Sequence, residues 1–159
     1  MILVTVGMHN EPFDRLVRSA DEMASLVAET VVIQRGVSRY TPATSRYFDF
    51  ADEAQMQKWL SEAGIVVSHG GAGSILSALQ ASKPLVVVPR LKCYGEACDD
   101  HQLELAEALA HRKKAVIVLE PSAGALQEAV AQANELARTR TVSNGLQAAL
   151  RAWLAEQAR

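Results

Sequence analysis

Aromatic residues make up only 5% of this 159-residue chain. That scarcity removes the stacking platforms on which single-stranded nucleic acids are held. Neither sign of charge prevails: 16 basic residues stand against 18 acidic ones, a formal net charge of −2. Without a basic surplus there is no electrostatic reason to expect nucleic acid as a partner. Two cysteines occur, Cys93 and Cys98. No second pair and no His-x-His cluster completes a zinc site, so they read as reduced cytosolic thiols. No apolar run approaches the roughly 18 residues of a membrane span. Met1 leads directly into the apolar run Ile2-Leu3-Val4-Thr5-Val6, and no signal peptide is visible. The expected setting is cytoplasmic, with a membrane reached only through a partner. Also missing are GxGxxG, Gly-Lys-Ser/Thr, His-Glu-x-x-His, Asp-x-Asp and a recognisable Ser-His-Asp triad. The lack of Asp-x-Asp argues against a metal-held diphosphate, and neither metal nor cofactor is expected.

What is present is a long alternation of apolar runs. Hydrophobic residues are 49% of the chain, enough for one well-packed domain spanning residues 1–159. Short β-branched runs predict strands over 2–6, 30–34, 65–68, 85–88 and 115–119, with a weaker one over 46–50. Helical spacing predicts helices over 12–28, 53–63, 73–81, 100–110, 123–136 and 143–157. Ser122 and Ser143 stand where helix N-caps belong. Strands separated by helix-length segments imply right-handed crossovers and a parallel sheet. The expected fold is α/β, a Rossmann-like doubly wound parallel sheet of about five or six strands. The polar segment 35–44 reads as an exposed loop.

In such a sheet, ligands sit beyond the carboxyl ends of the strands. The unusual residues gather in the loops there. The most informative is Ser68-His69-Gly70-Gly71-Ala72-Gly73-Ser74, which joins an apolar run to a helix start. Small residues let a ligand approach the backbone, and the free N–H groups of a first helical turn favour an anion or a hydroxylated group. Ser74 suits a cap or a ligand contact equally, and His69 a ligand contact or a satisfied core position. The loop Gly7-Met8-His9-Asn10-Glu11-Pro12 reads as a tight turn able to cradle a diphosphate, or as an ordinary connection. His9 is either a general base or a solvent-exposed side chain. The loop from Pro89 to Gln102 brings Arg90 and Lys92 to a strand end, where a ligand's negative charge would be paired. Asp100 and Gln102 offer an acceptor and an amide for sugar hydroxyls, while Asp99 or Asp100 also suits a helix cap. His101 fits either a ligand contact or a structural place. No general base stands out otherwise, so a partner polypeptide is the alternative source.

Val4-Thr5-Val6-Gly7, Pro12-Phe13-Asp14-Arg15-Leu16, the glycine-rich turn, Lys83-Pro84 and Asp100-His101-Gln102-Leu103 occur in that order. Together they resemble the Alg13-like bacterial proteins (PssE- and EpsE-like), catalytic subunits of split exopolysaccharide glycosyltransferases. That family is similar to the donor-binding carboxyl-terminal half of MurG-type, GT-B transferases of family 28. The resemblance covers the chain to about Leu109 and implies one Rossmann-like half of a GT-B enzyme. It implies a UDP-sugar donor bound without an essential metal, and a membrane-associated Alg14-like subunit bringing a lipid-linked sugar acceptor to the inner membrane face. By position, Gly7 and its loop approach the diphosphate. Gly71, Ala72, Gly73 and Ser74 form the donor loop beside His69 and Gly70, and Asp100 and Gln102 address the donor sugar. Met8 replaces a common Thr. Ser77 replaces the Glu that holds ribose in MurG-type and eukaryotic relatives, and is expected to do so more weakly or through water. Glu96 matches the exopolysaccharide branch and is expected to recognise donor or acceptor.

Two alternatives stand beside a hexosyltransferase subunit that is inactive alone. A self-sufficient nucleotide-sugar enzyme would turn over unaided. A non-catalytic regulator would bind UDP-sugar without transfer under any partner. The expected partner face includes Met8, Phe13, Leu91, Tyr94 and the carboxyl-terminal helix with Trp153 and Leu154.

Overall fold

The computed structural model describes residues 1–139. Six strands form: β1 (Ile2–Thr5), β2 (Val31–Gln34), β3 (Arg46–Phe48), β4 (Ile65–Ser68), β5 (Leu85–Val87) and β6 (Val116–Ile117). Between and after them lie α1 (Asp14–Met23), α2 (Glu53–Glu62), α3 (Ala72–Gln80), α4 (His101–His111) and α5 (Ala123–Arg138), with a 3-10 turn at Lys92–Tyr94. All strand pairs are parallel and the sheet order is β3-β2-β1-β4-β5-β6. The chain thus winds one way from β1 to β3, then crosses to β4 and continues on the other side. The reversal falls between β1 and β4, where a doubly wound sheet opens its ligand crevice. The register sets Thr5 beside Gln34 on one side and Ser68 on the other.

The β-branched runs form strands here because both sheet faces are covered. One face packs Ile2, Val4, Val6, Ile33 and Val67 against Phe13, Leu16, Val17 and Ala20 of the α1 segment and Leu126 and Val130 of α5. The other packs Leu3, Val32, Val66, Leu85 and Val87 against Leu60 of α2, Ile75 and Leu79 of α3, and Leu105 and Leu109 of α4. At roughly 1.5–3 kcal/mol for each large side chain fully buried, these layers are the main favourable term. Two caps form locally: Asp52 Oδ1 accepts from Gln55 N at 2.7 Å, and Ser122 Oγ accepts from Ala125 N at 3.2 Å.

The expected bounds of the first helix need correction. The first helix spans Asp14–Met23, shorter at both ends than 12–28. Phe13 N–H is donated to Ser38 Oγ at 2.9 Å, which holds it outside the helix, and Ser25 Oγ turns back to Glu22 O at 2.7 Å. The segment after β2 is the loop expected, with Val37, Arg39, Thr41, Ala43 and Thr44 exposed, and it is tied down by two carboxylates. Asp14 Oδ1 accepts the N–H groups of Arg39 and Tyr40, and Asp21 accepts those of Ala43, Thr44 and Ser45 together with the Tyr40 hydroxyl. Burial pushes the Asp21 carboxyl upward, but these hydrogen bonds to its charged form outweigh that and hold it below the usual carboxylate value. The expected helix over 143–157, with Ser143, Trp153 and Leu154, lies outside the described residues.

Candidate functional site: a cleft at the sheet's switch point

Two strand-end turns lock together around one imidazole. Gly7 adopts φ +75°, and a Cβ there would stand 2.5 Å from the His69 ring. A Cβ on Gly71 would also collide with this ring, at its Nε2 and Cε1. His69 is buried, and its Nδ1 lies 3.3 Å from Thr5 O, as a donor in the Nδ1–H tautomer. Burial, with the nearby Arg90 charge, pushes this imidazole down to about 4, while the bond to Thr5 opposes the shift. At neutral pH the ring is therefore an uncharged wedge that fixes the β1 turn against the β4 turn.

The β4 turn delivers the chain into α3 with no side-chain cap. The N-cap is Gly71, so Ser74 is the third helical residue rather than the cap. The first-turn N–H groups of α3 thus stay available, and the helix dipole adds partial positive charge. Gly70 sits at φ +94° with Gln102 packed over it. Gly73 differs from Gly7: a Cβ on it would meet nothing within 4 Å. Its smallness serves no internal packing need.

A cleft of about 340 Å³ opens here between α2 and α3. Its rim carries Gly7 and Met8 from the β1 turn, Gly73, Ser74 and Ser77 from α3, and Asp52 and Glu53 from the start of α2. Its walls are apolar, with Leu3, Met56, Leu60 and Val66, and its sheet side ends on Thr5 and Gln34. The Ser77 hydroxyl is donated to Gly73 O at 3.0 Å, leaving its lone pairs to the cleft. Thr5, Gln34, Asp52, Glu53 and Met56 were not expected in the site. The available signal was the polar residue closing an apolar strand, at Thr5 and again at Gln34.

Arg90 and Glu96 turn inward, which corrects their expected direct roles at a ligand. Arg90 is 1% exposed. Its Nη1 donates to the carbonyls of Glu11, Pro12 and Glu96, and its Nη2 to that of Val6. Its guanidinium also stacks 4.7 Å from the Phe13 ring. Glu96 is buried and accepts from Leu91 N and from Arg15. Arg15, in turn, donates to the carbonyls of Pro89 and Leu119. A guanidinium suits this task because its donors fan out in one plane and stay charged. The three residues bind the β1 turn to the segment after β5.

The remaining candidates stand around this frame. Gln102 Oε1 accepts from Arg90 N at 3.1 Å, so its carbonyl is engaged against the turn under Gly70. Asp100 Oδ1 accepts from Lys92 N at 3.3 Å, and Asp99, not Asp100, accepts from His101 N at 3.1 Å. His101 is exposed, with Nδ1 3.3 Å from Glu104. His9 is exposed and accepts from Glu11 N at 3.2 Å. Of the expected partner face, Met8 (72% exposed) and Tyr94 (51%) are outside, but Phe13 and Leu91 are core residues. Among the described residues no group of three or more His, Cys, Asp or Glu gathers as a metal site, and no helix is long and apolar enough to cross a membrane.

A doubly wound sheet with an open helix start beside its switch point is the architecture of a nucleotide-binding half-domain. The chain belongs to the glycosyltransferase family 28 C-terminal domain family, which residues 1–151 match. It is Alg13-like. A stretch of 67 residues is 48% identical to the UDP-N-acetylglucosamine transferase subunit ALG13 of Eremothecium gossypii, covering 39% of this chain and 30% of that protein. The human protein of the same name is 32% identical over 119 residues, covering 68% of this chain and 10% of its own length. The chain therefore spans a third or less of these relatives. In fold it resembles the calicheamicin glycosyltransferase CalG4, with TM-score 0.65 and 19% identity over 86% of this chain and 37% of that one. The kitacinnamycin glycosyltransferase gives TM-score 0.65 and 22% identity over 96% of this chain and 40% of that one. The likeness extends to the UDP-GlcNAc 2-epimerase of Neisseria meningitidis, with TM-score 0.57 and 16% identity over 87% of this chain and 38% of that one.

Proposed function

We propose that this chain is the donor-binding subunit of a split glycosyltransferase. It transfers a hexosyl group from a UDP-sugar to a lipid-linked acceptor in exopolysaccharide biosynthesis, together with an Alg14-like membrane-associated subunit. The observation carrying this reading is the convergence of the β1 turn and the uncapped start of α3 on one cleft, with Gly7, Met8, Gly73, Ser74 and Ser77 along its rim. The names of the curated relatives, transferase subunits for UDP-N-acetylglucosamine, agree with a nucleotide-sugar donor and with a second polypeptide.

In this reading the diphosphate rests on the N–H groups of Ala72, Gly73 and Ser74, beside the Gly7–Met8 turn. Helix-dipole and N–H donation there replace a metal ion. Neutral His69 positions both turns and, in its Nδ1–H tautomer, gives no proton to the phosphate. Asp100, His101 and the free amide nitrogen of Gln102 stand at the neighbouring start of α4 for the sugar hydroxyls. Arg90 and Glu96 act as positioning residues for that loop. His9 is the one basic side chain on the β1 turn to accept the acceptor's proton; otherwise the partner supplies the base. Ser77 hydrogen-bonds the ribose more weakly than a carboxylate would. The protein works at the cytoplasmic membrane face, held there by its partner.

Calorimetric titration of the full chain with a panel of UDP-sugars, followed by a transfer assay with a membrane partner, tests this. Binding by the isolated chain with transfer only in the pair is expected. Turnover by the chain alone would reassign it to the hydrolases or epimerases. Binding without transfer under any partner would make it a regulator, and absence of UDP-sugar binding would end the proposal.

A further inference from the structure

The cleft's sheet-side floor holds a buried amide with one end committed and the other unclaimed. Gln34 is 2% exposed and lines the cleft. Thr5 Oγ donates to its Oε1, and Thr5 Oγ itself accepts from Gly7 N at 3.3 Å. The relay runs Gly7 N–H to Thr5 Oγ–H to Gln34 Oε1. The carbonyl takes the threonine proton, so the NH₂ group is the end that remains. Among the described residues that NH₂ group has no hydrogen-bond partner. It is not sealed in: the enclosed side-chain atoms without a partner among the described residues are Ser45 Oγ and Arg90 Nε, so the Gln34 NH₂ opens onto the cleft and is free to donate there. The surrounding walls, Leu3, Met56, Leu60 and Val66, are apolar and offer it nothing.

We propose that Gln34 is a base-specificity residue of the donor site, its NH₂ group donating to a ring carbonyl of the nucleotide's pyrimidine. This rests on the nucleotide-sugar reading above and adds to it the feature that selects the base. The cleft volume is at the small end of ligand pockets, which run from about 300 to 1,000 Å³. That suits a nucleoside between apolar walls, with the phosphates left at the rim beside Gly7, Gly73 and Ser74. A donor on the floor matches the 4-carbonyl of uracil. It opposes the 4-amino group of cytosine, which would set donor against donor. Discrimination of this kind is large because the wrong base leaves buried polar groups unpaired.

The test is calorimetric titration of the full chain with UDP and CDP, in wild type, Gln34→Met and Thr5→Val. Wild type is expected to prefer UDP by roughly tenfold or more. Gln34→Met should weaken UDP roughly tenfold and CDP little, so that the preference collapses. Thr5→Val keeps the amide but frees it to rotate, and should lower the preference while UDP still binds. An unchanged UDP-to-CDP ratio in Gln34→Met, with only a lowered melting temperature, would make Gln34 a mere strut and overturn the proposal. So would equal wild-type affinity for the two nucleotides. In those cases the nucleotide-sugar reading survives; if wild type binds neither nucleotide, both fall.

Discussion

Arg15 grips the carboxylate of Glu96 at both oxygens, with Nε to Oε1 at 2.7 Å and Nη2 to Oε2 at 2.9 Å, across 81 positions of sequence. Arg15 also lies about 5 Å from the rings of both Phe13 and Tyr94. The pair is largely shielded from water and shares its surroundings with Arg90, so neither charge is replaceable alone.

Removing one partner is therefore expected to cost more than removing both. Glu96→Ala should destabilise the fold by about 3 kcal/mol, because it leaves Arg15 and the Leu91 N–H unmatched. In a double-mutant cycle with Arg15→Ala, a coupling of about 1–3 kcal/mol is expected. Urea unfolding of the four proteins measures it. Additive losses would show that the pair does not act as a unit.

Gly73 offers a separation of stability from binding. A Cβ there meets nothing within 4 Å. Alanine in a helix is favoured over glycine by about 1 kcal/mol. Gly73→Ala should thus raise the melting temperature while weakening UDP-sugar binding, and Gly73→Val should abolish binding with the fold intact. Undiminished binding in the valine variant would remove the rim of the cleft from the site.

The His69 imidazole supplies a pH signature. Its value is about 4 in the fold against 6.5 ordinarily. Between those values the unfolded chain binds the extra proton and the folded chain does not, so stability rises with pH. The contribution is complete above pH 6.5 and lost as the pH falls towards 4, by about 3 kcal/mol in all. Urea midpoints at pH 7 and 4.5 should show most of this loss in wild type and a smaller one in His69→Asn. Equal slopes would mean that the ring is not held neutral.

The sheet was legible because β-branched runs such as Ile65-Val66-Val67 have no other economical place than between two helical layers. The turn from Ser68 to Ser74 was legible because three glycines in four residues mark close approach. Gly7, Met8, Gly73, Ser74 and Ser77 do meet at one cleft. The direction in which a loop side chain points was not legible. Arg90 looks the same, in sequence, whether it faces a ligand or four carbonyls, and Glu96 whether it faces a ligand or Arg15; only the folded positions of Val6, Glu11, Pro12 and Arg15 decide. Phe13 and Leu91 were misplaced for the same reason: a hydrophobic residue in a loop is surface or core depending on what folds over it. Gln34 was read only as the last residue of a strand, since its importance depends on a threonine 29 positions away.

The border strands of the sheet are short, three residues in β3 and two in β6. A visiting strand laid along either flank of the described residues would find few unpaired amides to join. Association by sheet extension is thereby discouraged, and any companion must read side chains and turns instead. Such an address can be rewritten by a few substitutions without disturbing the frame beneath it.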